Sequence, residues 1–211
     1  MKHLIIIGAR GFGREVYNLA INTRTYGVDY DIKGFLDDKS DALDGYRSYP
    51  RVISSAEDYL PQKDDVFVCA LGDVNFKKKY VDIMSGKGGE FVTLVHRNVS
   101  IGQNTSIGKG CLICDGAIVS CDAKIGNFVT LNFHTFVAHD AVIGDFCQFN
   151  PYSSIAGFVN LGSFVTLNTG AIVIPKVVVE DHSVIGAGAV VLGKVKTGTT
   201  VFGNPARKIS F

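Results

Sequence analysis

The sequence predicts an α/β N-terminal domain followed by an all-β parallel β-helix, and three observations carry that expectation. A strand-like run, Leu4-Ile-Ile-Ile7, leads into a glycine loop and an amphipathic stretch. Two further strand-like runs follow, each ending in polar residues. From Val95 onward an apolar residue recurs at every sixth position without a slip.

The first half, residues 1–92, alternates strand and helix patterns, the signature of a Rossmann-like parallel sheet. Leu4 to Ile7 forms the first strand; four apolar residues in a row are too few for a signal segment. Next come Gly8-Ala-Arg10-Gly11-Phe-Gly13 and a helix from Arg14 to Ile21. A second strand, Ile32 to Leu36, ends in Asp37-Asp38. A third, Asp65 to Leu71, runs into Gly72-Asp73 and a helix from about Asn75 to Ser85. A glycine loop between strand and helix offers free N–H groups and a favourable dipole to a phosphate. An acid at the end of the second strand commonly meets a ribose or base. Gly8, Arg10, Gly11, Gly13, Asp37, Asp38 and Gly72 are therefore the candidate nucleotide contacts. The spacing G-x-x-G-x-G departs from the dinucleotide G-x-G-x-x-G, and a domain of about ninety residues shows no second half-site. The bland alternative is a turn that only packs helix on sheet.

The second half, residues 93–211, is a six-residue repeat. The anchors are Val95, Ile101, Ile107, Ile113, Val119, Ile125, Leu131, Val137, Ile143, Phe149, Ile155, Leu161, Leu167, Val173, Val179, Ile185 and Val191. With Val, Ile, Leu and Phe making up about a third of the chain, chance gives such a run roughly once in a hundred million tries. A period of six fits short strands joined by tight turns, three hexads to a triangular coil. Residues eighteen apart then stack, so Val119, Val137, Ile155, Val173 and Val191 form one interior ladder. Two more start at Ile107 and Ile113. Five to six coils at about 4.8 Å each give a prism roughly 27 Å long. Glycine often follows the anchor, which suits unusual backbone angles or a tight approach. Small residues such as Ala117, Thr135 and Ser153 sit two positions before it.

Composition excludes some classes. A formal net charge of +1 gives nucleic acid no basic surface to find, and no run approaches a membrane span. Five cysteines, an odd number with no export signal, point to a reduced cytoplasmic setting. Cys111-x-x-Cys114 invites a metal or redox reading, but Cys111 and Cys147 fall on the small inward position of the repeat, where cysteine acts as a small hydrophobe.

Two of the five histidines lie in Asn132-Phe-His134-Thr-Phe-Val-Ala-His139-Asp140. On the prism, His134 stands at the corner before one short face and His139-Asp140 at the corner after it. Five residues of strand span roughly 16 Å, so one metal ion would need a second subunit to bring both rings together. An acid/base role needs His139 alone, since histidine titrates near neutrality and a carboxylate can fix its tautomer. The plain alternative is a solvated His-Asp turn, set against corners otherwise occupied by small or polar residues.

These pieces together resemble the bacterial sugar O-acyltransferase family of left-handed β-helix enzymes, especially nucleotide-sugar acetyltransferases acting on UDP-4-amino-sugars. The match lies in Ile-Ile-Gly8-Ala-Arg-Gly11-Phe-Gly13, Gly34-Phe-Leu-Asp37-Asp38, Gly72-Asp73, the unbroken hexads, His139-Asp140-Ala-Val-Ile-Gly144-Asp, and the closing Val201-Phe-Gly203-Asn204-Pro205-Ala206-Arg207. The resemblance implies a cytoplasmic homotrimer with active sites between adjacent helices. It implies N-acetylation of a nucleotide-linked amino-sugar, UDP ahead of GDP, with acetyl-CoA as cosubstrate and no metal. His139 matches the catalytic base and Asp140 its orienting acid, a glutamate in close relatives. Asn132 matches a substrate-side polar residue; His134, read from the residues alone, is a further candidate substrate contact. Gln148, Gly157, Thr169, Ala187 and Pro205 match acetyl-CoA contacts, Gln148 standing where the family carries a histidine. Alternative readings are O-acetylation at the same site, a non-enzymatic trimeric scaffold, and a zinc hydratase like the γ-class carbonic anhydrases, whose third histidine position is Asn98 here.

Overall fold

The structure is a computed structural model and describes residues 1–209. It divides into two units, Met1–Arg97 and Asn98 onward.

In the first unit, strands β1 (Lys2–Ile7), β2 (Tyr30–Leu36), β3 (Val52–Ser54), β4 (Asp65–Cys69) and β5 (Glu90–Phe91) form one sheet in the order β3-β2-β1-β4-β5. Every pairing is parallel. Helix α1 (Gly11–Ile21) connects β1 to β2, and α2 (Val74–Gly86) connects β4 to β5. The apolar runs Leu4–Ile7 and Val66–Val68 are buried because a parallel sheet covered by helices is dry on both faces. The order reverses direction at β1, between β2 and β4. In such sheets, ligands bind in the crevice beyond the strand C-termini at that switch point.

Strands β3 and β5 were not expected. They are three and two residues long, too short to show a periodicity. Helix α1 begins at Gly11, three residues before the expected Arg14, because the glycine loop itself supplies its first turn.

Three columns of two-residue parallel strands build the second unit. The first stacks Ile101, Val119, Val137, Ile155, Val173 and Val191. The second stacks Ile107, Ile125, Ile143, Leu161 and Val179. The third runs Ile113, Leu131, Phe149, Leu167, Ile185 and Val201. Every rung of the three predicted ladders is present; Ile101 extends the first and Val201, off the eighteen-residue spacing, closes the third, and from Val119 onward the anchors are buried. Each interior side chain is covered by the rung above and the rung below, so burial here is long-range although each strand is short.

Phe149, fully buried between Leu131 and Leu167, is the largest of these anchors. Phe149→Ala would leave a cavity that rigid neighbouring coils cannot fill. The expected loss is about 3–5 kcal/mol, read as a lower denaturation midpoint with an unchanged slope.

The glycine after the anchor serves close approach and not unusual angles. A Cβ at Gly102 would meet the Cys121 nitrogen at 2.4 Å, and one at Gly144 the Gly162 carbonyl carbon at 2.6 Å. Positive φ falls two residues later, at Asn104, Asp122, Phe128, His134, Asp140, Phe146, Tyr152, Phe158, Phe164, Lys176 and His182, and at Gly110, Gly116, Gly170 and Gly188. The corners are thus not confined to small or polar residues. On one corner, Phe128, Phe146, Phe164 and His182 stack face to face, with centroids 4.8, 5.2 and 4.7 Å apart. This column offsets the cost of aromatic residues in left-handed backbone. Cys111 and Cys147 are buried as expected, each thiol donating to the carbonyl fifteen residues on, Gly126 at 3.2 Å and Gly162 at 3.1 Å.

The coil ends in a hairpin. Thr200–Phe202 pairs antiparallel with Arg207–Lys208 around a cis Asn204-Pro205 bond.

Candidate functional site

The first unit carries a cavity of about 400 Å³ at its switch point. Its lining includes Gly8, Arg10, Gly13, Asp37, Asp38 and Gly72. Gly11 is absent from that lining, although it opens the adjacent helix.

The loop is built by its glycines. Gly8 has φ +97°, and a Cβ at Gly13 would stand 2.1 Å from the Gly8 carbonyl oxygen. Helix α1 can therefore press against the loop only if both positions lack side chains. No side chain caps α1, so its first N–H groups remain available. Helix α2, in contrast, is capped by Asp73, which accepts from the Asn75 and Phe76 N–H groups. Of the two helix starts at this crevice, α1 is the one suited to an anion.

Asp37 is nearly buried and works as a clamp. Its Oδ2 accepts from the Ala9 N–H at 2.9 Å and its Oδ1 from the Lys39 N–H at 3.0 Å. The Arg10 guanidinium lies 3.7 Å away. Asp38 accepts from the Tyr80 hydroxyl at 2.8 Å. Burial, then the Asp38 carboxylate, push the Tyr80 phenol up to about 12, so it stays a hydrogen-bond donor at neutral pH. Sequence reasoning missed Tyr80, Phe76 and Phe12, which also line the cavity. The i, i+4 spacing of Phe76 and Tyr80, just after Gly72-Asp73, places both on one helical face at the crevice and was the available signal.

On the prism, His139 Nδ1 lies 2.8 Å from Asp140 Oδ2. The left-handed backbone of Asp140, φ 57°, turns its carboxylate back onto the preceding ring. A carboxylate at that distance is suited to accept from an Nδ1–H, the tautomer that carries its lone pair on Nε2. The ring rests on Gly157, one coil on, where a Cβ would approach Cε1 and Nε2 to 2.7 Å. No acceptor for the Gly157 N–H occurs among the described residues. On the second corner, the equivalent N–H groups of Asn127 and Ser163 are taken by the side chains of Asp145 and Asp181. Position 175, which would play that part for Gly157, is Pro and has no acceptor to offer.

The remaining expected residues stand elsewhere. His134 stacks on Tyr152 at 5.2 Å, on a different corner from His139. Thr169 and Ala187 are exposed on the corner that His134 shares. Asn132 is buried and accepts from the Phe133 N–H at 2.8 Å. Gln148 is buried, its amide donating to Asn150 Oδ1 at 3.2 Å. Pro205 is exposed in the terminal hairpin. One chain brings together His139, Asp140 and Gly157, and does not bring Thr169, Ala187 or His134 to that corner. Among the described residues no group of three or more His, Cys, Asp or Glu is arranged to hold a metal ion. No helix among them is long and apolar enough to cross a membrane.

Residues 3–84 match the family model of the PglD N-terminal domain. The chain is 30% identical over 117 residues to UDP-N-acetylbacillosamine N-acetyltransferase of Bacillus subtilis (strain 168), covering 54% of this chain and 51% of that protein. It is 30% identical over 139 residues to GDP-perosamine N-acetyltransferase of Escherichia coli O157:H7, covering 64% and 61%. The matched segments thus span between half and two thirds of those relatives. The acetyltransferase domain of PglB from Neisseria gonorrhoeae FA1090, solved in complex with acetyl coenzyme A, superposes with a TM-score of 0.89 at 27% identity, over 99% of both chains. The fold is an α/β domain followed by a left-handed parallel β-helix.

Proposed function

We propose, for a chain that belongs by fold with the left-handed β-helix sugar acyltransferases, that it moves an acetyl group from acetyl-CoA to an amine of a nucleotide-linked amino-sugar. The observation that carries this reading is the His139–Asp140 pair, with Nδ1 2.8 Å from the carboxylate and Nε2 without a hydrogen-bond partner among the described residues. The sugar amine attacks the thioester carbonyl carbon. His139 Nε2 takes the proton that the nitrogen sheds, and Asp140 stabilises the imidazolium. The free Gly157 N–H is suited to the oxyanion. The C–S bond breaks, and the CoA thiolate leaves and recovers a proton, with no acyl-enzyme.

The nucleotide belongs in the first unit, its diphosphate at the α1 N-terminus and its ribose or base toward Asp37 and Asp38. UDP is preferred to GDP, and the C4 amine is the acceptor. Thr169, Ala187, Gln148 and Pro205 would meet acetyl-CoA in a homotrimer, where a neighbouring protomer supplies the corner that one chain lacks. The cytoplasm, where acetyl-CoA is made and the five cysteines stay reduced, is the expected compartment.

The test is an assay of acetyl-CoA against UDP- and GDP-linked 4-amino-sugars, read by CoA release and by the mass of the product. A product heavier by one acetyl group supports the reading; hydrolysis of acetyl-CoA without an acetylated sugar sinks it. Asp37→Ala removes the clamp on the glycine loop. It should raise KM for the nucleotide sugar on the order of tenfold or more with kcat little changed, and an unchanged KM removes Asp37 from the binding site.

A further inference from the structure

We infer that Phe158 is a positioning residue for the His139 imidazole, holding its ring in the plane that keeps Nδ1 on Asp140 and Nε2 outward. The inference rests on His139 being the base of the proposed reaction.

Phe158 is poorly explained by the fold. It takes a left-handed backbone, φ 61°, which is costly for a bulky residue, and 53% of its surface is exposed. The other phenylalanines in this conformation, Phe128, Phe146 and Phe164, offset the cost by stacking with one another. The positions above and below Phe158 are Asp140 and Lys176, so no such column exists on its corner. Its ring contact is His139 instead, edge to face, with centroids 5.3 Å apart and planes at 87°. The Phe158 N–H donates to the His139 carbonyl at 3.2 Å, which fixes the two residues across one coil step. The imidazole is thereby bounded on three sides: Asp140 at Nδ1, Gly157 beneath the ring, and Phe158 at right angles to it. Asp140 alone fixes one atom and leaves the ring free to rotate about its bonds to the backbone. The perpendicular phenyl ring removes that freedom.

The experiment compares the parent with Phe158→Leu, Phe158→Gly and Phe158→Tyr. It reads kcat, both KM values, Tm, assembly size by gel filtration, and the His139 tautomer by nitrogen NMR on histidine-labelled protein. Phe158→Leu and Phe158→Gly should lower kcat on the order of 10- to 100-fold with both KM values little changed, and His139 should pass from one tautomer to a mixture. Phe158→Tyr should keep the parent kcat and tautomer. Phe158→Gly relieves the left-handed strain, so its Tm should equal or exceed the parent's while its kcat falls. The tautomer measurement needs no turnover, so it tests Phe158 even where His139→Ala shows that another group is the base. Parent-like kcat and tautomer in Phe158→Leu would overturn the inference. So would loss of assembly in step with loss of activity, which would make Phe158 an interface residue.

Discussion

His139→Ala is expected to lower kcat on the order of 10²–10⁴-fold while the protein keeps its fold and its affinity for the nucleotide. The side chain is half exposed, and its contacts are the Asp140 carboxylate, the Gly157 backbone and the Phe158 ring, none of them in the interior ladders. His139 is not among the left-handed residues, so alanine introduces no strain. Surface substitutions of this kind change stability by about 0.5 kcal/mol or less, and a large kinetic loss would therefore be chemical. Asp140→Asn separates the two functions of the pair. An amide keeps the shape but gives up the charge that stabilises the imidazolium, so kcat should fall less than in His139→Ala, with both KM values near the parent's.

Gly13→Ala is expected to abolish nucleotide binding while leaving the prism folded. The new Cβ would stand 2.1 Å from the Gly8 carbonyl oxygen and 2.8 Å from its carbonyl carbon. Both are backbone atoms, which cannot swing aside as a side-chain tip can. Helix α1 must move off the loop, and the free N–H groups at its start move with it. Overpacking of this kind costs about 1–3 kcal/mol, and the cost falls on the first unit. A nucleotide at a hundred times its Kd stabilises a folded protein by about 2.7 kcal/mol. The parent should show that as a rise in Tm with added nucleotide sugar, and Gly13→Ala should show none. A parent-like rise in the variant would mean that the loop only packs helix on sheet.

The prism was legible because its signal repeats. Seventeen anchors at one spacing leave a single register, and that register determines every rung from Ile101 to Val191. The two-residue strands β5 and Leu112–Ile113 show the contrast: only the second belongs to a repeat, and only it was foreseen. The cavity was half legible. Gly8, Gly13, Asp37 and Asp38 lie where a strand–loop–helix pattern puts them, but Tyr80 reaches Asp38 across 42 positions of sequence, and no local pattern encodes that contact. Asp37 turned out to clamp the loop through the Ala9 and Lys39 N–H groups, a use that residue type alone does not reveal. The His139–Asp140 contact depended on a left-handed turn at Asp140, which the repeat implies once the positive-φ position is known. Gln148 lies on the outward strand position, which is exposed at Ile118, Phe136 and Val142 but buried at Leu112, Thr130 and Gln148 on the third face, and burial of that kind is a tertiary property beyond the reach of the hexad pattern.

The most direct test is a single-turnover reaction of the parent enzyme with acetyl-CoA and a nucleotide-linked 4-amino-sugar, quenched and weighed by mass spectrometry, with His139→Ala run beside it. Direct transfer requires an acetylated sugar formed at the rate of CoA release, a protein mass that never gains an acetyl group, and little product from the variant. An acetylated protein intermediate, or product from His139→Ala at the parent's rate, would contradict direct transfer assisted by that imidazole.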